Sequence, residues 1–369
     1  MSKQNIAVIG GGPVGCYTAY LLAKQGHNVD LFEEHSQIGR PIQCTGLLTS
    51  DFDKYFPWAN KSEFLVNTFT SVTVKTKNQT ITIPQKEYLV CRTKFDSYFG
   101  KLAKKAGVNI HLNHSFRKKE GNTLIIKDSK NNQDLTIQPD IVVAADGPLS
   151  RTAKAFGIFH KDRSNYYGIQ AVVSGNFDQS NFDVYFGEDY CREFFVWVVP
   201  DSNNLARVGL CSKSNSKQIF DNFMNRYPNW KTKEIQAGVI PIYQHPQLLY
   251  KGNCYVVGDA AGHVKATTLG GLIPGLRAAE HLSESIKSNN PKIYQKKCQK
   301  LRYELLLHRV IRNSMDSFSD YDWENLLKYT GQEKIHRVLQ KYSRDNPIPL
   351  VFSMLLKEPR YLRFAKNFF

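Results

Sequence analysis

The sequence predicts an α/β protein in which a Rossmann-like domain is interleaved with an antiparallel β-sheet domain and is followed by C-terminal helices. Three observations predict this arrangement. Residues 5–34 have the pattern of strand, glycine-rich turn, helix and strand. Residues 160–242 contain aromatic-rich runs of alternating polarity, such as Asp183-Val184-Tyr185-Phe186, separated by polar turns. After about residue 286 the sequence is helical in pattern and basic.

The composition is that of a globular protein. The chain has 369 residues, of which 41% are hydrophobic and 12% aromatic, and its formal net charge is +16. The apolar and aromatic content excludes a disordered protein, and the low content of glycine (24 residues) and proline (15 residues) excludes a fibrous one. No run approaches the roughly 18–20 consecutive apolar residues that cross a bilayer, and the N-terminus lacks a signal-peptide pattern. We therefore expect a cytoplasmic protein that lies at most on the inner face of the cell membrane.

Cysteine and histidine spacing argues against a metal site or a disulfide framework. The seven cysteines include no CxxC pair and the ten histidines include no HxxxH pair. The basic residues are spread along the chain, without a zinc-finger or RNA-binding signature. We expect neither a metal ion nor a nucleic-acid partner.

The first turn has the composition of a dinucleotide-binding turn. The strand Ile6–Ile9 leads into Gly10-Gly11-Gly12-Pro13-Val14-Gly15, a GxGxxG pattern that opens a helix over Val14–Gln25. Glycines let the backbone approach a pyrophosphate, which then meets the unpaired N–H groups of the helix N-terminus. The strand Asn28–Phe32 follows and ends at Glu33, whose carboxylate can accept hydrogen bonds from ribose hydroxyls. The alternative is a glycine-rich turn without a ligand. The candidate cofactor-binding residues here are Gly10, Gly12, Val14, Gly15 and Glu33.

Further elements assign the rest of the chain to domains. Residues 69–75 and 80–83 resemble a β-hairpin, a helix follows at about 94–106, and short strands occupy 107–143. We predict a cofactor-binding domain of residues 1–60, 85–160 and 245–290. A β-sheet substrate domain comprises 61–84 and 161–244, and the C-terminal helical region comprises 291–369.

Two more glycine–aspartate turns favour FAD over NAD. Ala145-Asp146-Gly147 and Val257-Gly258-Asp259-Ala260-Ala261-Gly262 each follow a strand. An aspartate at that position can bind a polyhydroxylated chain such as the ribityl group. Gly270-Gly271-Leu272 then opens a helix whose positive end can stabilise charge on a reduced flavin. Asp146, Asp259, Gly270, Gly271 and Leu272 therefore join the cofactor-binding candidates.

The order GxGxxG, ADG and GDAAG resembles that of FAD-dependent oxidoreductases of the aromatic-hydroxylase type. In that superfamily an arginine at the position of Arg92 contacts FAD; its alternative is a surface arginine at a helix start. Within the superfamily the chain most resembles the geranylgeranyl reductase family, which includes archaeal digeranylgeranylglycerophospholipid reductases. The resemblance covers roughly residues 5–285.

Three segments carry this resemblance. Gly39–Gly46 is similar to the family's PxxC-Gly segment near the flavin, and Phe195–Pro200 is similar to its YxWxFP motif. The longest is the run from Gly258 to Leu272. Phe195 and Val199 replace the Tyr and Phe of YxWxFP, and Leu269 replaces the first glycine of a GGG. The resemblance implies that Arg40, Cys44 and Thr45 lie near the flavin and that Phe195 and Trp197 line the substrate site.

The resemblance also implies a reaction, the saturation of isolated C=C bonds in isoprenoid chains on a prenyl lipid or a prenyl diphosphate. FAD would be the cofactor, and NADPH or reduced ferredoxin the reductant. Cys44 is the candidate catalytic residue, as a proton donor or as a gate beside the flavin. Its alternative role is a small apolar filler in a turn. For Trp197 the alternative is a core aromatic of the second sheet.

Two other function classes fit the same scaffold. One is an oxygen-using flavin monooxygenase or halogenase, since FxWxVP is about as close to the halogenase motif WxWxIP as to YxWxFP. The other is a non-catalytic carrier of prenyl lipids. The Cys44 segment and the run Lys265–Thr268 favour the reductase over the halogenase.

The C-terminal end has a basic amphipathic pattern. Tyr361, Leu362, Phe364, Ala365, Phe368 and Phe369 share one predicted helical face, and Arg360, Arg363 and Lys366 share the other. Such a pattern suits peripheral contact with anionic lipid. The alternative is a helix that packs on its own protein and leaves a solvated basic edge.

Overall fold

The computed structural model of the chain describes residues 3–365 and contains two compact units. Unit 1 comprises Met1–Ile42, Arg92–Ser164 and Pro241–Leu306, and unit 2 comprises Gln43–Cys91, Asn165–Ile240 and Leu307–Phe369. Two differences from the predicted domain bounds stand out. Residues 43–60 belong to unit 2, because their strand pairs within the sheet of that unit. The residues after 290 are divided between the two units and form no third one.

Residues 3–365 form seventeen strands and eleven α-helices. The strands are β1 (Asn5–Ile9), β2 (Asn28–Glu33), β3 (Leu47–Thr49), β4 (Leu65–Lys75), β5 (Thr80–Val90), β6 (Asn109–Leu112), β7 (His114–Glu120), β8 (Thr123–Asp128), β9 (Gln133–Ile137), β10 (Ile141–Ala144), β11 (Asn165–Ser174), β12 (Asn181–Gly187), β13 (Cys191–Ser202), β14 (Leu205–Ser212), β15 (Lys231–Pro241), β16 (Tyr250–Lys251) and β17 (Cys254–Val256). The helices are α1 (Pro13–Lys24), α2 (Asp51–Tyr55), α3 (Arg92–Lys105), α4 (Arg151–Ala155), α5 (Ser216–Met224), α6 (Leu272–Lys287), α7 (Pro291–Lys297), α8 (Gln299–Met315), α9 (Asp320–Thr330), α10 (Glu333–Lys341) and α11 (Pro347–Lys357). Lys61–Glu63, Gly258–Ala261 and Pro359–Ala365 are 3₁₀ turns.

Unit 1 is built on a six-stranded sheet with the order β16-β17-β10-β1-β2-β6. All its pairs are parallel except that between β16 and β17 at one edge. Ile6–Ile9 of the central strand are buried, as expected for a parallel strand covered on both faces. α1 packs against α3 and α6, and β7, β8 and β9 form a separate antiparallel sheet. The predicted Rossmann-like fold is confirmed.

Unit 2 is built on an eight-stranded sheet with the order β15-β11-β14-β13-β12-β4-β5-β3. The predicted hairpin is present as β4 and β5, with Val72 opposite Ile83. The strand pairs with a described register are antiparallel as predicted, except that β12 runs parallel to β4. Phe69, Leu89 and Phe182 are among the buried residues of its core.

The C-terminal helices of unit 2 bury part of the apolar face for which the sequence left both lipid contact and packing on the protein open. Tyr361 packs with Tyr329 and Ile335 in a buried cluster, and Phe364 lies against the same cluster. The amphipathic pattern therefore does not leave Tyr361 free for a lipid surface. Lys366, Phe368 and Phe369 lie outside the described residues. Between residues 3 and 365, no helix combines the length and the apolar content that a membrane span requires.

Candidate functional site

The predicted cofactor residues of unit 1 gather at one edge of its sheet. β17, β10, β1 and β2 are neighbours and parallel, so their carboxyl ends meet at the same edge. Asp259, Asp146, Gly10 and Glu33 follow or end these four strands in turn. Residues from four separate segments of the sequence are thereby brought to one place.

The first glycine turn is held tightly against the end of β10 and open on its other side. Gly10 has a φ of +108°, and a Cβ there would overlap the carbonyl oxygen of Ala145. A Cβ on Gly15 would overlap the carbonyl oxygen of Gly10. Gly12 is different: a Cβ there would meet no atom within 4 Å. Gly12 is also the N-cap of α1 and provides no side-chain acceptor, so the first N–H groups of this helix lack a side-chain cap. Open space beside uncapped N–H groups fits a pyrophosphate.

Glu33 occupies the predicted position at the end of β2. Its carboxylate accepts hydrogen bonds from the Gly11 N–H at 2.6 Å and the His35 N–H at 2.9 Å. The residue is buried, so these bonds hold the carboxylate beside the glycine turn. A ribose whose hydroxyls donate to Glu33 would lie next to the same turn.

Val14 joins the first glycine turn to the third. A Cβ on Gly258 would lie 3.2 Å from Val14 Cγ1, and one on Gly275 of α6 would lie 2.7 Å from Val14 Cγ2. A side chain at Gly275 would overlap Val14, and at Gly258 the contact would be tight and the φ of +67° disfavours any residue but glycine. Val14 thus packs between α1, the Gly258 turn and α6, and its contact with a cofactor remains a prediction.

The loop between Gly262 and α6 is compact. Gly271 is the N-cap of α6 without a side-chain acceptor, and a Cβ there would lie 2.9 Å from Asp259 Oδ1. The buried Lys265 packs its aliphatic chain against Gly270. Leu269 adopts a φ of +55°, a left-handed conformation that favours glycine, at the position where the family pattern has one. Leu269 thus adopts a backbone conformation that glycine adopts more readily.

Arg163 is a site residue that the sequence did not reveal. It is buried, and its guanidinium donates to the carbonyl oxygens of Asp259 at 3.2 Å and Ala260 at 2.9 Å. It also donates to Gln247 Oε1 at 2.6 Å. Burial lowers the pKa of Arg163 to about 10, which leaves it charged at neutral pH. Arg163 thus holds the backbone of the Asp259 turn in place through two of its carbonyl groups.

The Asp259 carboxyl group interacts with two arginine charges near this turn. Burial raises the pKa of its carboxyl group, whereas the positive charges of Arg92 and Arg163 act in the opposite direction. Arg92 is itself engaged: its Nε and Nη2 donate to Asp96 at 3.0 Å and 2.9 Å within α3. Burial raises the pKa of Asp96 as well, with Arg92 opposing and Glu33 reinforcing the shift. The spacing of Arg92 and Asp96, four residues on a helix, could have predicted this ion pair.

Two other predicted residues of unit 1 are engaged differently. Asp146 accepts hydrogen bonds from the Ser150 hydroxyl and from the Thr152 N–H, so its carboxylate stabilises the start of α4. Arg40 is exposed, and the segment before it is fastened to α3 by the Thr93 hydroxyl, which donates to the Gly39 carbonyl at 3.2 Å. Cofactor contacts of Asp146 and Arg40 remain predictions.

His263 lies next to this turn and is neutral. Burial lowers its pKa to about 3, with Arg163 and His281 adding to the shift. It lines a small cavity of about 20 Å³ with Cys298, Arg302 and other residues, which is enough space for one water molecule.

The predicted residues of unit 2 meet at a glutamine that the sequence did not reveal. Gln170 Oε1 accepts hydrogen bonds from the Thr45 hydroxyl at 2.6 Å and from Trp197 Nε1 at 3.0 Å. Its amide nitrogen donates to Gln236 at 2.7 Å. Gln170 is buried, so this polar network determines the orientation of the Trp197 indole on the sheet.

Arg207 and Cys44 define the segment around Thr45. Arg207 is buried, pairs with Asp201 at 2.8 Å, and donates to the backbone carbonyls of Thr45 and Val90. Cys44 is half-buried and accepts a hydrogen bond from the Gly46 N–H at 3.4 Å. Arg207 thus holds the backbone of this segment. Within the described residues, the Cys44 thiol makes no hydrogen bond to another side chain.

Phe195 belongs to an aromatic cluster of unit 2. Its ring stacks on Phe194 at 4.2 Å and lies edge-on to Trp197 at 6.2 Å. Both Phe195 and Trp197 are partly buried and pack against the core of the sheet. The predicted substrate residues therefore combine an apolar surface with one buried polar network at Gln170.

Known proteins are similar to this chain in sequence. A profile of the NAD(P)-binding Rossmann-like domain matches residues 8–45. The digeranylgeranylglycerophospholipid reductase 1 of Methanosphaera stadtmanae is 26% identical over 96% of this chain and 94% of its own. The digeranylgeranylglycerophospholipid reductase of Methanocaldococcus jannaschii is 24% identical over 98% of this chain and 97% of its own. The chain is thus similar to digeranylgeranylglycerophospholipid reductases along nearly its whole length.

Solved structures show the same fold. A geranylgeranyl bacteriochlorophyll reductase-like protein from Thermoplasma acidophilum aligns over 100% of both chains with a TM-score of 0.84 and 22% identity. The flavin-dependent halogenase CmlS aligns over 100% of this chain and 78% of its own with a TM-score of 0.72 and 15% identity. The sequence relatives confirm the resemblance to geranylgeranyl reductases, and the solved structures confirm the predicted fold.

Proposed function

We propose that the protein is an FAD-dependent reductase that saturates isolated C=C bonds of isoprenoid (geranylgeranyl) chains on a prenyl lipid or a prenyl diphosphate. The observation that carries this proposal is the similarity to digeranylgeranylglycerophospholipid reductases along nearly the whole chain. The three glycine turns at one sheet edge support FAD as the cofactor.

The residues of unit 1 would hold FAD through their backbone. The uncapped N–H groups after Gly12 would bind the pyrophosphate, and Glu33 would accept hydrogen bonds from the ribose. The N-terminus of α6 at Gly271 would stabilise negative charge on the ring. When bound, FAD would supply the hydride for the C=C bond. Arg163 keeps the Asp259 turn in place during this process because it binds two carbonyls of the turn.

We propose Cys44 as the proton donor or as a gate of the substrate site. The support is its place in the PxxC-Gly segment and the backbone anchoring of its neighbour Thr45 by Arg207. An isolated alkene needs a proton as well as a hydride, and no carbonyl polarises it. Aromatic side chains such as Phe195 and Trp197 would exclude water from such a reaction.

The reaction can be tested anaerobically. The flavin is reduced chemically, a geranylgeranylated lipid is added, and flavin reoxidation and product mass are followed. We expect reoxidation together with mass gains in steps of two hydrogens. Absence of a mass gain with a correctly loaded flavoprotein would overturn the reductase proposal. Supplying NADPH or reduced ferredoxin instead of the chemical reductant then identifies the natural electron donor.

Replacement of Cys44 tests its role. We expect Cys44→Ala to slow product formation by on the order of 10²-fold, the usual contribution of a general acid. Cys91→Ala is the matched control, because Cys91 is also half-buried but lies outside the family motif. Equal rates for Cys44→Ala and Cys91→Ala would remove Cys44 from the mechanism. A changed substrate KM with an unchanged kcat would instead favour the gate.

A second candidate is an oxygen-using monooxygenase or halogenase. It is favoured by the structural similarity to CmlS, which is described as a flavin-dependent halogenase, and by the FxWxVP segment. Substrate-stimulated oxygen uptake without mass gains of two hydrogens would support it.

The remaining alternative is a non-catalytic carrier of prenyl lipids. A colourless protein that takes up no added FAD would favour this alternative.

A further inference from the structure

Within residues 3–365, helix α11 has a row of apolar side chains that is exposed to solvent. Ile348, Phe352 and Leu356 lie four residues apart on α11 and are 46%, 62% and 65% exposed. Side chains at this spacing follow one another along one side of a helix, about 6 Å apart. Leu362, in the 3₁₀ turn that packs against α11, is 61% exposed. We call these four residues the α11 patch.

The other side of α11 fixes the helix to unit 2. Met354 and Leu355 pack against the cluster of Tyr329, Ile335 and Tyr361. α11 is therefore already anchored, and the α11 patch is not the face that holds it in the fold. A row of large apolar side chains on an anchored helix indicates a docking surface.

The charges of this region select the partner. The described segment 333–365 has six exposed charged residues. Five of them are basic, namely Lys334, Arg337, Lys341, Lys357 and Arg360. The sixth, Glu333, pairs with Arg337. The two other acidic residues of the segment are turned inwards. Asp345 is buried and accepts a hydrogen bond from the Thr49 hydroxyl, and Glu358 is buried and pairs with Arg360 and Lys334. Hydrogen bonds from Arg360 lower the pKa of Glu358, so it stays ionised and paired.

We propose that the α11 patch docks on the surface of an anionic lipid bilayer. An apolar row with basic neighbours is the pattern of a helix that lies in a membrane interface, where apolar side chains enter the acyl boundary and basic ones meet lipid phosphates. A second copy of the chain is disfavoured, because it would bring two basic segments together. The inference rests on this surface alone and not on the proposed reduction.

Vesicle co-sedimentation of the full chain tests the docking surface. We expect binding to phosphatidylglycerol vesicles at low salt, at least ten-fold weaker binding to phosphatidylcholine vesicles, and weakening at 0.5 M salt. Phe352→Glu/Leu356→Glu should lower binding to phosphatidylglycerol at least ten-fold. Phe352→Ser/Leu356→Ser, which adds no negative charge, should lower it in the same direction.

The matched control is Ile235→Glu, which places the same charge at a 57% exposed apolar residue of β15. Its vesicle binding should equal that of the unchanged chain, and circular dichroism should show that every variant is folded. Wild-type binding that survives Phe352→Glu/Leu356→Glu overturns the proposal, and so does an unchanged chain that binds no vesicle. A dimer that this double substitution dissociates, without vesicle binding, would assign the patch to a second copy. Turnover of detergent-dispersed substrate is measured separately, so a failure of docking is distinguished from a failure of the proposed function.

Discussion

At the scale of the residue, buried polar groups determine how the two units respond to pH and to substitution. His263 is 2% exposed and neutral, because removal from water disfavours its charged form. Its Nδ1 has no hydrogen-bond partner among the described residues. Protonation of His263 therefore destabilises the folded state relative to the unfolded one.

The shifted pKa of His263 predicts a loss of stability in acid. Its pKa is about 3 in the folded chain and 6.5 by reference, so between these values the unfolded chain binds more protons. Stability should therefore fall as pH falls through 6.5, by about 2 kcal/mol from this group at pH 5, since one pKa unit corresponds to about 1.4 kcal/mol. Urea unfolding at pH 7.5 and 5 measures it. His263→Asn should reduce the pH dependence by that amount, whereas the control His245→Asn, at an exposed histidine, should not.

The Gln170 network gives a second prediction for single residues. Gln170→Met keeps the side-chain length but leaves the Trp197 indole N–H, the Thr45 hydroxyl and the Gln236 amide oxygen without their partner. Because unpaired buried polar groups are costly, we expect a loss of about 1–3 kcal/mol in the free energy of unfolding, measured in urea.

A double-mutant cycle separates this network from general damage to the core. Trp197→Phe removes the indole donor and leaves an aromatic ring. The combined Gln170→Met/Trp197→Phe variant should be more stable than the sum of the two changes predicts, by about 0.5–1 kcal/mol. Strict additivity would show that the Trp197 hydrogen bond does not contribute.

At the scale of the element, two glycines of the turn before α1 serve different purposes. Gly15 is required for folding, and we expect Gly12 to be required for cofactor binding. A Cβ on Gly15 would overlap the Gly10 carbonyl oxygen, whereas one on Gly12 would enter open space. Gly12 has a φ of −64°, which alanine adopts without strain. The two glycines therefore have different reasons to be glycine.

Alanine substitution should affect folding at Gly15 and cofactor binding at Gly12. Gly15→Ala should lower the melting temperature, because turn and helix must move apart. Gly12→Ala should leave the melting temperature of the cofactor-free chain unchanged but weaken FAD binding at least ten-fold, because its methyl group occupies the space beside the uncapped N–H groups. Thermal unfolding and flavin fluorescence titration measure the two effects. Unchanged FAD affinity in Gly12→Ala would argue against a pyrophosphate at this turn.

At the scale of the whole molecule, a cofactor that binds only the folded chain should stabilise it. FAD at 100 times its dissociation constant should add about 2.7 kcal/mol to the free energy of unfolding. Thermal unfolding with and without FAD, at fixed protein concentration, measures the shift. Gly12→Ala at the same FAD concentration should show a smaller shift. An equal shift in both would place the flavin elsewhere.

The fold and the backbone turns of the site could be predicted from the sequence. Glycine turns, helix starts and strand ends depend on residues that are neighbours in the chain, so GxGxxG, ADG and GDAAG mark their own conformations. Parallel pairing of neighbouring strands then places Glu33, Asp146 and Asp259 at one edge. The exposed and buried sides of the C-terminal segment could not be predicted in this way, because Tyr361 is buried by a cluster that includes Tyr329, 32 positions earlier.

By itself the sequence determined the α/β class, the glycine turns and the family resemblance, since these reside in local backbone constraints and in residue order. Only the tertiary structure decided which side chains support the turns. Arg163 binds the Asp259 carbonyl across 96 positions, and Gln170 joins Thr45 across 125 positions. Neither residue belongs to a local pattern, because a buried hydrogen bond depends on proximity in space and leaves no periodic trace along the chain.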